Sequence, residues 1–473
     1  MASPPLGLAY MAAVLERNGY DVKILDCTAE GFDTVTHYGP GLIAYGLAPE
    51  EIVSAVLDYQ PSVVGISCLF TVCAPIVERL SELIKEHFPS VKIVLGGTHP
   101  TVCAEDLIQK DYVDFVVRGE GEHAFLELLN HLQGTSETSR SFREVCNLTY
   151  RESGRIVSTP QQFIRNLDEL PTPARHLLNM EFYIEKGLMQ GLADRGSRAT
   201  TMITSRGCPA RCVFCSIHSV WGYRYRAHSP NYVLDEVAEI KRLYGVSQII
   251  FEDDNLTLNR RRAEEIFRGM KERKLDLHWT TPNGVALWAL NESLLRMMKE
   301  AGCVWLTVAF ESGDQETLKN IIRKPLNLVK AAELVNICRK IRLPTTAFFV
   351  IGFPGETNES MKRSMRFAED LPVDSISVMI ATPYPGTELM NICVQGGYLA
   401  KEYQRDKLHV RVGQIVTPDF QPRDVELLAS RTMLRRALKH PFGTLRRLWR
   451  KFYRSPSDTL RFILTRVREA VLH

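Results

Sequence analysis

Three cysteines, Cys208, Cys212 and Cys215, sit at C-x3-C-x2-C spacing in the run Thr204-Ser-Arg-Gly-Cys-Pro-Ala-Arg-Cys-Val-Phe-Cys-Ser216. Thiolates are the soft ligands that iron–sulfur clusters select, and three at this spacing can wrap one corner of an iron–sulfur cube. A fourth cysteine would complete an electron-transfer cluster. With three, one iron keeps an open coordination position at which a small molecule can be bound and activated. The competing chemistry is a structural zinc site, which needs a fourth ligand. His218 is the only near candidate, and a lone His beside aromatics more often packs than ligates.

The loop needs a scaffold that brings other ligand groups to it. From about residue 198 the sequence alternates apolar runs and amphipathic stretches. Strands are expected over 200–204, 248–252, 277–281, 304–310, 345–351 and 375–380. The helix after the cysteines opens with Ser229 as cap and Pro230 at its first position, carries Val233, Val237, Ile240 and Leu243 on one face, and closes at Gly245. Six such units fit a partial version of the eight-unit parallel barrel, with ligand groups in the loops after the strands. The cysteines follow the first strand and Glu252-Asp253-Asp254-Asn255 the second. Glu311-Ser312-Gly313 follows the fourth, Gly352-Phe-Pro-Gly-Glu-Thr357 the fifth, and Thr382-Pro-Tyr-Pro-Gly-Thr387 the sixth. Any one of these alone reads as a turn or a solvated loop. All of them opening on the cysteines' face is a site.

The first 133 residues form a second alternation, with strands expected over 22–25, 63–67, 91–95 and 113–117. That order implies an α/β, doubly wound, mostly parallel sheet. Its strand ends carry Ser67, then Gly96-Gly97-Thr98-His99, then Arg118-Gly119-Glu120-Gly121-Glu122. Residues 134–197, with Pro160, Pro171 and Pro173, read as an irregular linker, 198–400 as the barrel, and 401–473 as a basic helical tail.

The cysteine spacing, with Phe214 before the third cysteine, resembles the radical S-adenosylmethionine (SAM) superfamily. The resemblance implies a 4Fe–4S cluster on Cys208, Cys212 and Cys215, with SAM chelating the open iron through its amino and carboxylate groups. Phe214, Glu252, Asp253, Asp254, Glu311, Ser312, Gly352 and Gly355 are the implied SAM contacts: acceptors from Asp253 and Glu311, and close backbone approach at Gly352. The reduced cluster would cleave SAM to a 5′-deoxyadenosyl radical that abstracts hydrogen from an unactivated carbon.

The front segment, together with Pro4-Pro5-Leu6-Gly7 and the run Leu167-Asp-Glu-Leu-Pro-Thr-Pro-Ala-Arg175, resembles the cobalamin-binding domain that precedes the barrel in one radical SAM class. Ser67, Gly97, Thr98, His99, Gly119 and Glu120 are then the cobalamin contacts. Two departures stand out. No Asp-x-His-x-x-Gly supplies a histidine to cobalt, and the context of His99 suits a loop contact. The strand that the class places before Pro4 is missing from the expected order.

The resemblance implies a methyltransferase acting on an unactivated carbon, with an oxidative cyclase or rearrangement enzyme as the alternative within this architecture. Methylthiotransferases would need a second cluster in the front domain and usually a small β-barrel at the carboxyl end; the widely spaced Cys27, Cys68 and Cys103 could be misread as that cluster, but the tail reads as helical and single buried cysteines are common. A non-catalytic iron–sulfur sensor is the alternative outside enzymes. A small-molecule or lipid-like substrate and an external electron donor such as flavodoxin or ferredoxin are the implied partners; nucleic acid is not.

Composition is ordinary for a globular chain of 473 residues: 45% hydrophobic, 24% charged, net charge +3. Eleven cysteines in so long a chain suggest no disulfide framework, and an oxygen-sensitive cluster belongs in a reducing compartment, so the expected location is cytoplasmic. From Arg431 onward, twelve Lys and Arg oppose Asp458 and Glu469. There Leu445, Leu448, Trp449 and Phe452 recur at helical spacing among arginines. That stripe either packs on the barrel or makes peripheral contact with an anionic membrane.

Overall fold

The computed structural model describes residues 2–38, 43–134, 141–187, 189–191, 197–405 and 408–440. The chain divides into two compact units. One holds Met1–Gln190 with Ser216–His228; the other holds Gly191–Cys215 and Ser229–Gln404 and continues from Leu408.

The front unit is built on five strands, β1 (Val63–Ser67), β2 (Lys92–Gly96), β3 (Phe115–Val117), β4 (Leu148–Glu152) and β5 (Arg155–Ser158), hydrogen-bonded in that order. The first three are parallel and the last two antiparallel. Alternation along the strands explains the two layers. Ile93, Leu95 and Val116 face a core shared with Val53, Val56 and Ile84 of the flanking helices. Val94, Phe115 and Val117 face the opposite core, with Leu15 of α1 (Leu6–Arg17) and Phe125 and Leu128 of a later helix. That helix is α3 (Glu122–Leu132); between them α2 (Thr98–Val102) starts directly after β2.

Two expectations are corrected here. Residues 148–158 were expected in an irregular linker but form the β4–β5 hairpin, which extends the front sheet. Leu148 and Tyr150 alternate into the core, and Ser153 and Gly154, both at positive φ, make the turn. The charged Arg151, Glu152 and Arg155 hide this period in the sequence. The run 22–25, expected as a strand, pairs with none among the described residues; Val22 and Ile24 instead pack on Ala12 and Ala13 of α1 and on Ala174.

The second unit carries a six-stranded parallel sheet: β6 (Ala199–Met202), β7 (Gln248–Phe251), β8 (His278–Val285), β9 (Cys303–Glu311), β10 (Thr345–Ile351) and β11 (Ser375–Ile380). Each strand pairs with the next in chain order, the pattern of a partial parallel barrel. In the front unit Ser216–His228 includes the short helix α4 (Ile217–Trp221). The helix after it, α5 (Pro230–Tyr244), starts and stops as expected: Ser229 accepts the Tyr232 N–H, and Gly245 ends it at φ 58°. Trp279, fully buried, stacks on Phe267 of α6 (Arg260–Glu272) at 4.8 Å and meets Phe251 edge-on. At the far edge, α7 (Pro422–Lys439) is fixed by Arg436, whose guanidinium donates to the Ala368 and Glu369 carbonyls at 3.0 and 2.8 Å. The apolar stripe from Leu445 to Phe452 lies outside the described residues.

Truncating Trp279 to Ala should destabilise the barrel unit by about 3–5 kcal/mol. Urea unfolding followed by far-UV circular dichroism should show the transition of the barrel unit moving to smaller urea concentrations; an unmoved transition would mean that this stack does not hold the sheet to α6.

Candidate functional site

Cys208, Cys212 and Cys215 are all free thiols, half-buried, on the loop between β6 and α4. The loop is fastened at three points. At its start, Asp253, at the end of β7, accepts hydrogen bonds from the Thr204 N–H and from the hydroxyls of Thr204 and Ser205. Arg262 donates to the Thr204 carbonyl at 2.9 Å. In its middle, the Val213 N–H donates to the Ile322 carbonyl at 3.1 Å, and the Val213 carbonyl accepts from the Leu389 N–H at 2.7 Å. Asn255 is held by the Ala286 N–H and points its amide at Cys208 Sγ, 3.7 Å away.

Among the described residues no three His, Cys, Asp or Glu side chains converge on one ion. A cube does not require that, because each cysteine ligates a different iron. The donor set and the fastened loop therefore fit a cluster. Burial pushes the Cys212 thiol up to about 11, with the Lys324 charge pulling the other way. Metal ligation needs the thiolate, so a cation close by favours it.

Lys324 is the group that the sequence reading missed. Its Nζ lies 2.8 Å from Glu311 Oε1, and both side chains are buried. Burial works against the Lys324 charge, but Glu311 and the thiols of Cys212 and Cys208 raise its pKa above the ordinary value. Glu311 itself ends β9 at φ 64°, a backbone conformation that turns it out of the strand. In sequence, Lys324 sits in an Arg-Lys-Pro run that reads as surface.

The acidic stretch after β7 divides by environment. Asp253 is consumed in holding the cysteine loop, so the acceptor role expected for it is corrected to an anchoring one. Burial raises its pKa even against the donors and Arg262. Asp254 keeps one buried oxygen without a partner, and burial with neighbouring Asp253 raises its pKa to about 7. Glu252 is half-buried, takes a hydrogen bond from Asn283 at 3.0 Å, and is also raised to about 7 by burial. An orphaned buried carboxylate oxygen is the feature a bound amino group would satisfy.

Other expectations shift too. The Ser312 hydroxyl is tied up with Ser364 at 2.7 Å and the Asp314 N–H at 3.1 Å, so it is structural. At Gly352, φ 91°, a Cβ would lie 2.9 Å from Val425 of α7; the glycine admits that helix and does not open the strand end to a ligand. Gly355, φ 93°, faces only Ile321 at ordinary distance. The loop between them closes on Glu356, whose carboxylate accepts the Gly352 and Phe353 N–H groups at 2.8 and 2.9 Å. Phe214 lies 5.8 Å from the Phe353 ring.

In the front unit the strand ends are partly open. Ser67 is exposed, and Leu69 and Phe70 just beyond it are 57% and 66% exposed. A Cβ at Gly96 would meet nothing nearer than the Val117 carbonyl at 3.8 Å. Bare apolar side chains beside an open glycine at a sheet's carboxyl edge fit a flat macrocycle. Gly97 has φ 101°, and a Cβ there would strike the Cys68 carbonyl at 2.7 Å, so only glycine lets α2 begin there, with Thr98 at its first position. His99 is buried, with Nδ1 3.2 Å from the Thr71 hydroxyl, and burial holds its pKa down. Glu120 is not free: Arg226 binds it at 2.7 Å.

A doubly wound unit with an open carboxyl edge, and a parallel six-strand array presenting three thiols, define a protein with two cofactor domains. Residues 2–129 match the B12 binding domain family, and residues 202–368 match the Radical SAM superfamily. The chain is 35% identical over 444 residues to the cytidylyl-2-hydroxyethylphosphonate methyltransferase of Streptomyces wedmorensis, covering 88% of this chain and 82% of that protein. It is 27% identical over 394 residues to the anaerobic magnesium-protoporphyrin IX monomethyl ester cyclase of Cereibacter sphaeroides, covering 82% of this chain and 60% of that one. The fold is shared with TsrM, a radical SAM methyltransferase from Kitasatospora setae solved with cobalamin and a 4Fe–4S cluster, at TM-score 0.68 and 16% identity over 90% of this chain and 82% of that one. The chain belongs to the cobalamin-dependent radical SAM enzymes, and its cofactors are a 4Fe–4S cluster, SAM and cobalamin.

The two neighbouring acids should separate on mutation. Asp253→Ala should cut iron loading on anaerobic reconstitution about as severely as Cys212→Ala, because the loop loses its anchor. Asp254→Asn should load a normal cluster but bind SAM at least tenfold more weakly. Iron and sulfide assays with SAM titrations measure both; equal cluster loading in the two Asp variants would overturn the division. Because Asp254 ionises near pH 7, its carboxylate is mostly formed above pH 7 and lost below it. SAM affinity of the wild type should therefore fall between about pH 8 and pH 6, and the fall should be largely absent in Asp254→Asn.

Proposed function

We propose that this enzyme transfers a methyl group to an unactivated carbon of a small molecule held over the barrel's strand ends. When bound, the reduced cluster supplies the electron that cleaves SAM, and cobalamin carries the methyl group. The residues of the chain hold and shield. Asp253, Ile322 and Leu389 keep the cysteine loop in one conformation. Asp254 offers an oxygen to the amino group of SAM. Glu311, locked by Lys324, presents its second oxygen to a hydroxyl without adding net charge. The buried Glu356 loop closes the strand end beside Phe214 against water.

The observation that carries this reading is the joining, in one chain, of a front unit that fits a macrocycle and a three-thiol loop with an orphaned acceptor beside it. The greater identity to a methyltransferase than to a cyclase supports methylation over oxidative cyclisation. Flavodoxin or ferredoxin is the proposed electron donor. No helix among the described residues is long and apolar enough to cross a membrane.

Reconstituted protein incubated anaerobically with SAM, dithionite and hydroxocobalamin should release 5′-deoxyadenosine, and with a methyl acceptor present should also release S-adenosylhomocysteine. 5′-Deoxyadenosine alone, across a panel of acceptors, would move the assignment to a cyclase or rearrangement enzyme. Neither product would leave a non-catalytic iron–sulfur protein.

A further inference from the structure

The chain leaves the barrel unit between Cys215 and Ser216 and returns to it at Ser229. The residues that continue directly from the third cysteine are therefore part of the front unit. What holds them there is a buried ion pair. Arg226 Nη1 lies 2.7 and 2.8 Å from the two oxygens of Glu120, with the side chains 4% and 1% exposed. The same guanidinium donates to the Ile164 carbonyl at 2.7 Å and to the Trp221 carbonyl of α4 at 2.8 Å. Glu120 Oε2 also accepts the Ile164 N–H at 2.6 Å.

The surrounding fit is tight. Gly119, at φ 68°, favours glycine: a Cβ would press on the Gln161 amide and lie 3.2 Å from the Val220 carbonyl of α4. Gln161 in turn donates to the Ser219 carbonyl at 2.8 Å. At Gly222, φ 73°, a Cβ would lie 2.9 Å from the Phe163 ring, and the Arg226 guanidinium lies over that ring at 5.3 Å. An apolar pair of similar volume would hold such a contact at less desolvation cost. A directional pair, in which both terminal guanidinium nitrogens are hydrogen-bonded, instead fixes one register between the Gly119–Gly121 loop and the 216–228 segment.

We propose that Glu120 and Arg226 are positioning residues that link the two cofactor sites. The loop at the carboxyl end of β3 and the segment emerging from Cys215 move as one piece, so that filling the cobalamin site and loading the cluster favour each other. The proposal rests on the reading that the Gly119–Gly121 loop borders cobalamin.

The linkage is measured as a ratio. Hydroxocobalamin is titrated by its visible spectrum into one preparation before and after anaerobic cluster reconstitution. In the wild type, cluster loading should tighten cobalamin binding at least fivefold, and by reciprocity cobalamin should raise the chelator concentration at which half of the iron is lost at equilibrium from the cluster-loaded protein. The paired variant Glu120→Met with Arg226→Met, which removes both charges together, should still load a cluster and bind cobalamin, with the ratio reduced to near one. Arg226→Lys, which keeps the charge but loses the second nitrogen that reaches the Trp221 carbonyl, should give an intermediate ratio and decides the matter if the paired variant does not fold. A wild-type ratio of one with good cobalamin binding, or an unchanged ratio in the variants, overturns the linkage while leaving the cobalamin reading intact. No hydroxocobalamin binding by the wild type in either state overturns both.

Discussion

A loop that offers three thiols to three different irons cannot rely on the cluster to shape it before the cluster arrives. In this chain that shape comes from one buried carboxylate. Asp253 gathers the Thr204 backbone and the Thr204 and Ser205 hydroxyls, and Arg262 caps the same turn from the side. The other fastenings at Val213 come from Ile322, beyond β9, and Leu389, beyond β11. Three separate strand ends thus meet on one loop. Pairing of each strand with its chain neighbour delivers those ends to a common face, and the apolar layer around Trp279 and Phe267 keeps the face in place.

Charge around the loop is partitioned by solvation. Glu252, Asp254 and Glu356 are all raised to about 7 by burial, so near neutrality they carry only part of their charge. Glu311 is offset by Lys324 across 2.8 Å. A site that must accept thiolates and further electrons is in this way kept from accumulating negative charge of its own. The arrangement also explains why so many acids can stand close together without driving the strand ends apart.

Much of this was legible in the sequence. The barrel strands, the Ser229–Pro230 helix start and the cysteine loop follow from local pattern, because apolar period, caps and ligand spacing are short-range properties. What was not legible is long-range. Asp253 and Asp254 are adjacent and chemically identical in sequence; only the position of Thr204, across the β6–β7 pair, makes one an anchor and leaves the other free. Ser312 looks like a ligand until Ser364 occupies it. Gly352 looks like a ligand gap until Val425 fills the space beyond it. Lys324 looks like surface until Glu311 faces it. The β4–β5 hairpin escaped notice because its outward residues are charged and its neighbours are rich in proline.

The recruitment of Ser216–His228 into the front unit has a consequence for how the protein is made. Chains emerge amino end first and fold domain by domain. Here the front unit cannot be finished when its own sheet has emerged. Until Arg226 has been synthesised, Glu120 has no cation and the Gly119 loop lacks the wall that α4 supplies. By then the entire cysteine loop has already been translated. The front unit therefore matures only once the cluster ligands exist, which places the completion of one cofactor pocket behind the synthesis of the other in the timetable of biosynthesis.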